Sequence, residues 1–509
     1  MIHNRERNSW LRRYGVTTKN YFKERVINMV LENLEPKEVF RFFEEICQVP
    51  HGTFDTKRIS DYCVAFAKER GLACIQDETN NIIISKPGTV GYENSEPVII
   101  QGHMDMVCEK RPESNHDFKK DPLELYVEDG YVKAKDTTLG GDDGIAVAMA
   151  LAILDSKDIP HPPIEAVFTV DEEIGMGGAE NIDLSVLKGK KLINIDSEEE
   201  GILTVGCAGG FGYNTEIPVT RENAEGEKIS IRIHGLLGGH SGAEIHKQRG
   251  NGHKMMGRLL NHVSSETDIR LISIAGGTKN NVISSECKAE ILVSKEDADK
   301  VKASVAELKA TWDKEFLGKE PGLTVDVEEE SVSGVAVMNA ESTKRVITYF
   351  VICPNGVQCY DRELEGLVET SLNLGIVETT KDAVKLESLV RSSMESKKAD
   401  MKEILDTCAQ AVGANGKTQG GYPAWEYKVD SELRKVMVET FVEQYGKEPV
   451  VSTIHAGLEC GLFLGKKPDL DCVSMGPDLL DIHSFNEKLD IASTQRTWEY
   501  LKGILAKLK

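Results

Sequence analysis

Residues 136–149 read Asp-Thr-Thr-Leu-Gly-Gly-Asp-Asp-Gly-Ile-Ala-Val-Ala-Met. Two adjacent carboxylates, Asp142 and Asp143, sit between glycines, and the alanine-rich apolar run after them reads as a buried helix. A carboxylate just ahead of a buried helix is costly to desolvate unless something pairs with it. The helix N-terminus offsets part of that cost, and a metal ion offsets far more. Taken alone, an Asp in a glycine-rich turn is most often a helix cap. Other motifs in the chain raise the metal reading, in which Asp142 bridges two metal ions.

The sequence His103-Met-Asp105 supplies an imidazole that can ligate through one ring nitrogen while a nearby carboxylate accepts from the other. In Glu172-Glu173, adjacent side chains of an extended segment point opposite ways, so one can face a metal and its neighbour a water molecule. That suits Glu173 as ligand and Glu172 as general base. The Gly175-Met-Gly-Gly178 run after them lets the backbone approach closely. Asp196 precedes Ser-Glu-Glu-Glu200, and Asp481-Ile-His483 offers a second histidine. His103, Asp142, Glu173, Asp196 and His483 thus amount to one bridge plus one imidazole and one carboxylate per ion. Such N/O sites suit zinc, and also manganese or cobalt. Two ions about 3.5–4 Å apart activate water and stabilise a tetrahedral oxyanion.

Buried strands must carry these groups. Val98-Ile-Ile-Gln101 is short, β-branched and apolar, as in a strand covered on both faces of a largely parallel sheet. Strands at 164–170 and 191–195 run into Asp171-Glu172-Glu173 and Asp196. Ligands of open α/β sheets bind beyond the carboxyl ends of strands. Upstream, Val39, Phe40, Phe43 and Ile46 mark one helix face. Ile59, Tyr62, Cys63 and Phe66 mark a second, with Asp55 as its expected cap and Gly71 at its end. After Cys207-Ala-Gly-Gly210 the pattern changes to alternating strands and charged amphipathic helices. Helix 431–445, strand 471–475 and a terminal helix from Ser493 look like the first domain resuming. The expected fold is α/β: a mostly parallel-sheet catalytic domain with an inserted α+β lid domain. Its expected parts are an extension at 1–35, catalytic segments 36–211 and 416–509, and a lid at 212–415.

At 509 residues and a net charge of −22, the chain is long enough for two or three domains and a poor partner for nucleic acid or anionic membranes. Its eleven cysteines are scattered, with no CxxC, which points to a reducing cytoplasm. No apolar run reaches 18 residues, and the first 30 residues lack the apolar core of a secretory signal. Phosphate binding fails for want of a GxxxxGK[ST] or GxGxxG signature.

In order and spacing, His103-x-Asp105, Gly-Asp142-Asp-Gly, Asp-Glu172-Glu173, Asp196 and His483 resemble the zinc-dependent exopeptidases related to carboxypeptidases, aminoacylases and carnosinases. Thr-Leu-Gly-Gly-Asp142-Asp-Gly-Ile, Gly-Leu-Leu-Gly-Gly-His240-Ser-Gly and His455-Ala-Gly-Leu-Glu459-Cys-Gly look like the aminoacyl-histidine dipeptidase branch. The resemblance runs from about residue 36 to the end. It implies two zinc ions bridged by Asp142, with His103 and Asp196 on one and Glu173 and His483 on the other. It also implies Glu172 as general base, Asp105 as the group orienting His103, and a cis peptide after Asp142. His240 becomes a donor to the substrate carbonyl, while Asn281 and Arg391 become candidates for its carboxylate. His455 and Glu459 resemble substrate-pocket residues, Glu459 facing the free amino group. The implied activity is hydrolysis of unblocked dipeptides ending in histidine, by a monomer or homodimer. A tripeptidase or aminoacylase is the alternative within the family, and an inactive metal-binding interaction protein the alternative outside it.

Overall fold

A computed structural model describes residues 29–509, so most of the expected N-terminal extension lies outside the described residues. The chain forms two compact units. The first comprises residues up to Val205, Lys428–Ser452 and Leu462–Lys509; the second comprises Gly206–Tyr427 and Thr453–Gly461. The second unit is therefore wider than the 212–415 expected for the lid. Its sheet uses Asn415–Tyr422, which pairs antiparallel with Gly209–Pro218, so the chain leaves this unit only after that strand.

In the first unit, strand Val98–His103 lies between Ile164–Thr169 and Lys191–Asn194, parallel to both. Asp471–Ser474 extends the parallel set beside Lys191–Asn194. Toward the other margin the pairing turns antiparallel, through Ile82–Lys86 and Ala73–Gln76. Every residue of Val98–His103 and Ile164–Thr169 is buried, which explains why both read as continuous apolar runs rather than alternating ones. The loops bearing Asp105, Glu172, Glu173 and Asp196 leave the carboxyl ends of these parallel strands.

Helix Gly141–Asp155 packs against Val98–His103 on one side and helix Lys37–Cys47 on another. It is buried along almost its whole length, as its uniformly apolar sequence requires. Its first residues are not yet helical: Gly140 is left-handed at φ 66°, and Asp142 has φ −82° and ψ 105°. Helix Lys57–Glu69 carries the second predicted stripe, but its N-cap is Thr56. Asp55 instead accepts from the Arg58 guanidinium at 2.6 Å.

A second, smaller sheet in this unit has no counterpart in the sequence reading. It runs Leu479–Leu480, Lys488–Asp490, Tyr131–Ala134, Leu125–Glu128, antiparallel throughout. Its first two strands bracket the loop 481–487, which carries His483. The pairing of Lys488–Asp490 with Tyr131–Ala134 sets that loop beside the segment leading into Asp142.

The second unit holds a four-stranded sheet (Arg270–Ala275, Cys287–Val293, Arg221–His234, Thr324–Met338) and a five-stranded one (Gly356–Tyr360, Val368–Thr379, Ala383–Ser392, Gly209–Pro218, Asn415–Tyr422). Helices Gly252–Glu266, Ala298–Glu315, Ala340–Ile352 and Glu395–Ala411 complete an α+β arrangement around one apolar core.

The close approach of helix to strand depends on Gly102. A Cβ there would lie 2.6 Å from Ala146 Cβ and 2.5 Å from Asp143 Oδ2. Gly102→Ala is expected to destabilise the first unit by about 1–3 kcal/mol, the usual cost of overpacking. A lower thermal unfolding midpoint checks this, and an unchanged one contradicts the packing described.

Candidate active site

Strand ends and turns bring five ionisable side chains of the first unit together. The two oxygens of Asp142 face different imidazoles: Oδ1 lies 3.1 Å from His103 Nε2, and Oδ2 lies 3.2 Å from His483 Nε2. His103 Nε2 is also 3.5 Å from Asp196 Oδ1, and His483 Nε2 is 3.0 Å from Glu173 Oε2. The peptide between Asp142 and Asp143 is cis. His103 is buried and His483 half-exposed.

Asp105 holds this constellation from behind. Its backbone carbonyl lies 3.0 Å from His103 Nδ1, placed to accept a proton from that nitrogen while Nε2 faces the Asp142 and Asp196 carboxylates. The Asp105 carboxylate is 3.6 Å from the same nitrogen, too long for a hydrogen bond. It accepts instead from the Glu172 backbone N–H at 3.1 Å and the Thr53 hydroxyl at 2.9 Å. The Asp105 carbonyl thus lies at hydrogen-bond distance from His103 and its carboxylate at ion-pair distance from the same ring, while the carboxylate also pins the Glu172 loop. Further along that loop, Asn81 accepts from Val170 N and donates to Gly178 O.

Asp143 is a neighbour whose place the sequence left undefined. It is buried and accepts the His103 N–H at 3.1 Å. One ligand-type atom from each of His103, Asp143 and Asp196 lies within 4.8 Å of the others, as is the case for His103, Asp142 and Glu173.

The electrostatics describe a cluster rich in negative charge. Among the described residues, no Lys or Arg is ion-paired with Asp142, Glu173 or Asp196; their partners are the two histidines. Burial raises the Glu173 and Asp196 carboxyls above the ordinary range against the pull of the histidines. Burial, reinforced by Asp196, raises Asp143 further. Asp142 is the exception: burial opposes its charge, but contacts with His103 and His483 hold its carboxyl well below the usual value. Hydrogen bonds to Asp142 and Glu173 push His483 up to about 11. Among the described residues, Glu173 Oε1 is buried with no hydrogen-bond partner. Two imidazoles and several carboxylates short of positive charge, with one buried oxygen unsatisfied, form a donor set that fits a pair of divalent cations.

The second unit has a polar cluster of its own. His240 is exposed and accepts the Ala243 N–H at its Nδ1, 3.1 Å away, so a neutral ring carries its proton on Nε2. Partial desolvation of the ring, then the charge of Arg391, lower its pKa. Asn281, part-buried, lies on the loop that bridges back to this turn through Ser241 N and Asn281 O. Arg391 is buried and donates to the Tyr422 hydroxyl at 2.8 Å. Across the strand pair it faces Ser371, whose hydroxyl lies 2.7 Å from His455 Nε2. Burial, then Arg391, push His455 down to about 3. Glu459 is fully buried at the start of helix Glu459–Lys466. Ser371 and Tyr422 went unnoticed in the sequence because each is tied to this cluster only through strand pairing.

Residues 99–507 match the model of peptidase family M20/M25/M40. The cytosol non-specific dipeptidase of Escherichia coli (strain K12) is 37% identical over 480 residues, covering 94% of this chain and 99% of that protein. The crystal structure of aminoacylhistidine dipeptidase from Vibrio alginolyticus superposes with a TM-score of 0.89 at 37% identity, over 93% of this chain and 97% of that one. The aminopeptidase PepT from Bacillus cereus ATCC 10987, at 17% identity and a TM-score of 0.53 over 93% of this chain and 99% of that one, shares the fold.

Because each oxygen of Asp142 faces a different histidine, one substitution acts on both halves of the cluster. Asp142→Ala is expected to lose both equivalents of bound divalent metal after dialysis, read by atomic emission. Retention of two tightly bound ions excludes a bridging role.

Proposed function

The chain belongs to peptidase family M20/M25/M40 and is a metallodipeptidase, and we propose that it prefers unblocked dipeptides with a C-terminal histidine, carnosine (β-Ala-His) among them. The observation that carries the two-cation chemistry of this reading is the single carboxylate of Asp142 set between two imidazoles. Kinship at 37% identity with an aminoacylhistidine dipeptidase supports the histidine preference.

In this reading His103 and Asp196 would hold one cation, Glu173 and His483 the other, and Asp142 would serve both. Zinc is the proposed ion, with cobalt or manganese as substitutes. When bound, the pair supplies Lewis acidity that makes water nucleophilic near neutral pH and offsets charge gathering on the scissile carbonyl. Glu172 takes the proton of the attacking water and returns it to the leaving amine. Asp105 keeps Glu172 in place through the 3.1 Å bond to its backbone. His240, neutral with Nδ1 already engaged, offers Nε2–H to the carbonyl oxygen as it becomes an oxyanion. Arg391 and Asn281 take the substrate carboxylate, to which a guanidinium offers two parallel donors. His455 lines the pocket, and Glu459 pairs with the free amino group. A cytoplasmic location is part of the proposal: all eleven cysteines are free, and the Escherichia coli relative is named a cytosol enzyme. Among the described residues, no helix is long and apolar enough to cross a membrane.

Turnover of β-Ala-His, other Xaa-His and Xaa-Yaa dipeptides, Gly-Gly-Gly and N-acetyl amino acids at defined zinc loading tests the substrate class. The highest kcat/KM is expected for Xaa-His with free ends, and amidating the C-terminus should raise KM strongly. Faster cleavage of the tripeptide or of acylated amino acids assigns the alternative activities. Equal rates on amidated and free dipeptides remove the carboxylate grip, and no turnover at all leaves a metal-binding protein.

The two adjacent glutamates separate by readout. Glu172→Ala should keep its metal while kcat falls by about 10²–10⁴, the range for a lost general base. Glu173→Ala should lose metal. Equal metal loss in both variants contradicts this division.

A further inference from the structure

Glu487 lies four residues after His483 and is 3% exposed. A carboxylate so buried needs partners, yet among the described residues no lysine or arginine is ion-paired with it. Its partners are four consecutive backbone N–H groups. Oε2 accepts from Leu139 at 2.7 Å and Gly140 at 3.1 Å; Oε1 accepts from Gly141 at 2.8 Å and Asp142 at 3.3 Å. Left-handed Gly140 curls the turn so that successive N–H groups converge on one concavity, an arrangement that favours an anion. These donors include the first free N–H groups of helix Gly141–Asp155. Glu487 therefore caps that helix from a distant part of the chain. The loop bearing Glu487 also bears His483, and it is held at both ends by Leu479–Leu480 and Lys488–Asp490. One side chain thus joins the turn that carries Asp142 to the loop that carries His483.

We propose that Glu487 is a positioning residue of the metal centre: it fixes the direction of the Asp142 carboxylate relative to His483 and so sets affinity for the bridged cations. The inference rests on the ligand roles proposed above for Asp142 and His483. Replacing Glu487 by Gln keeps its shape but puts an NH₂ group where an acceptor stood, so two of the four N–H groups lose their partner. The turn then loses its clamp while every ligand remains.

The test uses the full chain. Wild type, Glu487→Gln, Glu487→Asp and Asp142→Ala are stripped of metal. Zinc affinity is measured by competition with a chromophoric chelator, apo stability by thermal unfolding, and kcat and KM on one dipeptide. Glu487→Gln is expected to weaken zinc binding about 10–100-fold, the range for lost partners of metal ligands, and to lower kcat more than it changes KM. Glu487→Asp, which keeps the charge on a shorter arm, should recover part of the affinity. A Glu487→Gln protein that melts earlier but binds zinc as tightly as wild type overturns the proposal, leaving a purely structural anchor. If the Gln variant does not fold, the Asp variant decides: intermediate affinity supports the proposal and wild-type affinity overturns it. Loss of zinc from Asp142→Ala alongside wild-type binding by both Glu487 variants defeats this proposal alone. Two tightly held zinc ions in Asp142→Ala defeat the ligand reading beneath it.

Discussion

Asp142 has two oxygens, and each faces its own histidine across about 3 Å. A carboxylate can do this only if its plane is fixed, because rotation about χ2 would swap or abandon both contacts. Much of the surrounding first unit constrains that plane. The glycine-rich turn sets the backbone, the buried helix behind it prevents withdrawal, and the Asp143 carboxylate accepts the backbone N–H of His103. The parallel strands bring the remaining acids to the same edge. Such a concentration of buried like charge disfavours folding without a counter-ion, so site assembly and cation binding are thermodynamically coupled.

Much of this was legible in the sequence, and the reason is burial. Val98–His103 and Ile164–Thr169 are covered on both faces, so their apolar runs announced strands, and the acids just past them stood out. The stripe of Val39, Phe40, Phe43 and Ile46 announced its helix because one side faces the core. Structure that lacks a buried face left no such trace. Asn415–Tyr422 is a polar, glycine-rich edge strand with almost no buried residue, so it read as a domain boundary although it belongs to the second unit's sheet. Leu125–Glu128, Tyr131–Ala134 and Lys488–Asp490 are too short for periodicity to register.

The division of work at Asp105 was hidden for a different reason. A sequence shows which side chains are near in the chain, but not whether the side chain or the carbonyl of a residue turns toward a given ring. At Asp105 the carbonyl meets His103, and the carboxylate also reaches Thr53 and Glu172. The same limit conceals Ser371 and Tyr422, each tied to the second unit's cluster through contacts between distant residues. Motif reading finds groups whose types do chemistry; the groups that aim them show only through geometry.

The small sheet formed by Tyr131–Ala134 and Lys488–Asp490 also sets an order of events in synthesis. His483 follows Asp142 by 341 residues, and the strand Lys488–Asp490 that fastens its loop to Tyr131–Ala134 follows later still. A ribosome adds residues one at a time over tens of seconds at this length. Through that interval the emerging chain displays His103, Asp142, Glu173 and Asp196 with one imidazole missing, and the buried acids have no partner loop to close over them. A chain stopped before residue 479 would lack both His483 and Glu487, the two residues of the loop that face the Asp142 turn. The cluster of five side chains is therefore complete only once residue 483 has been added.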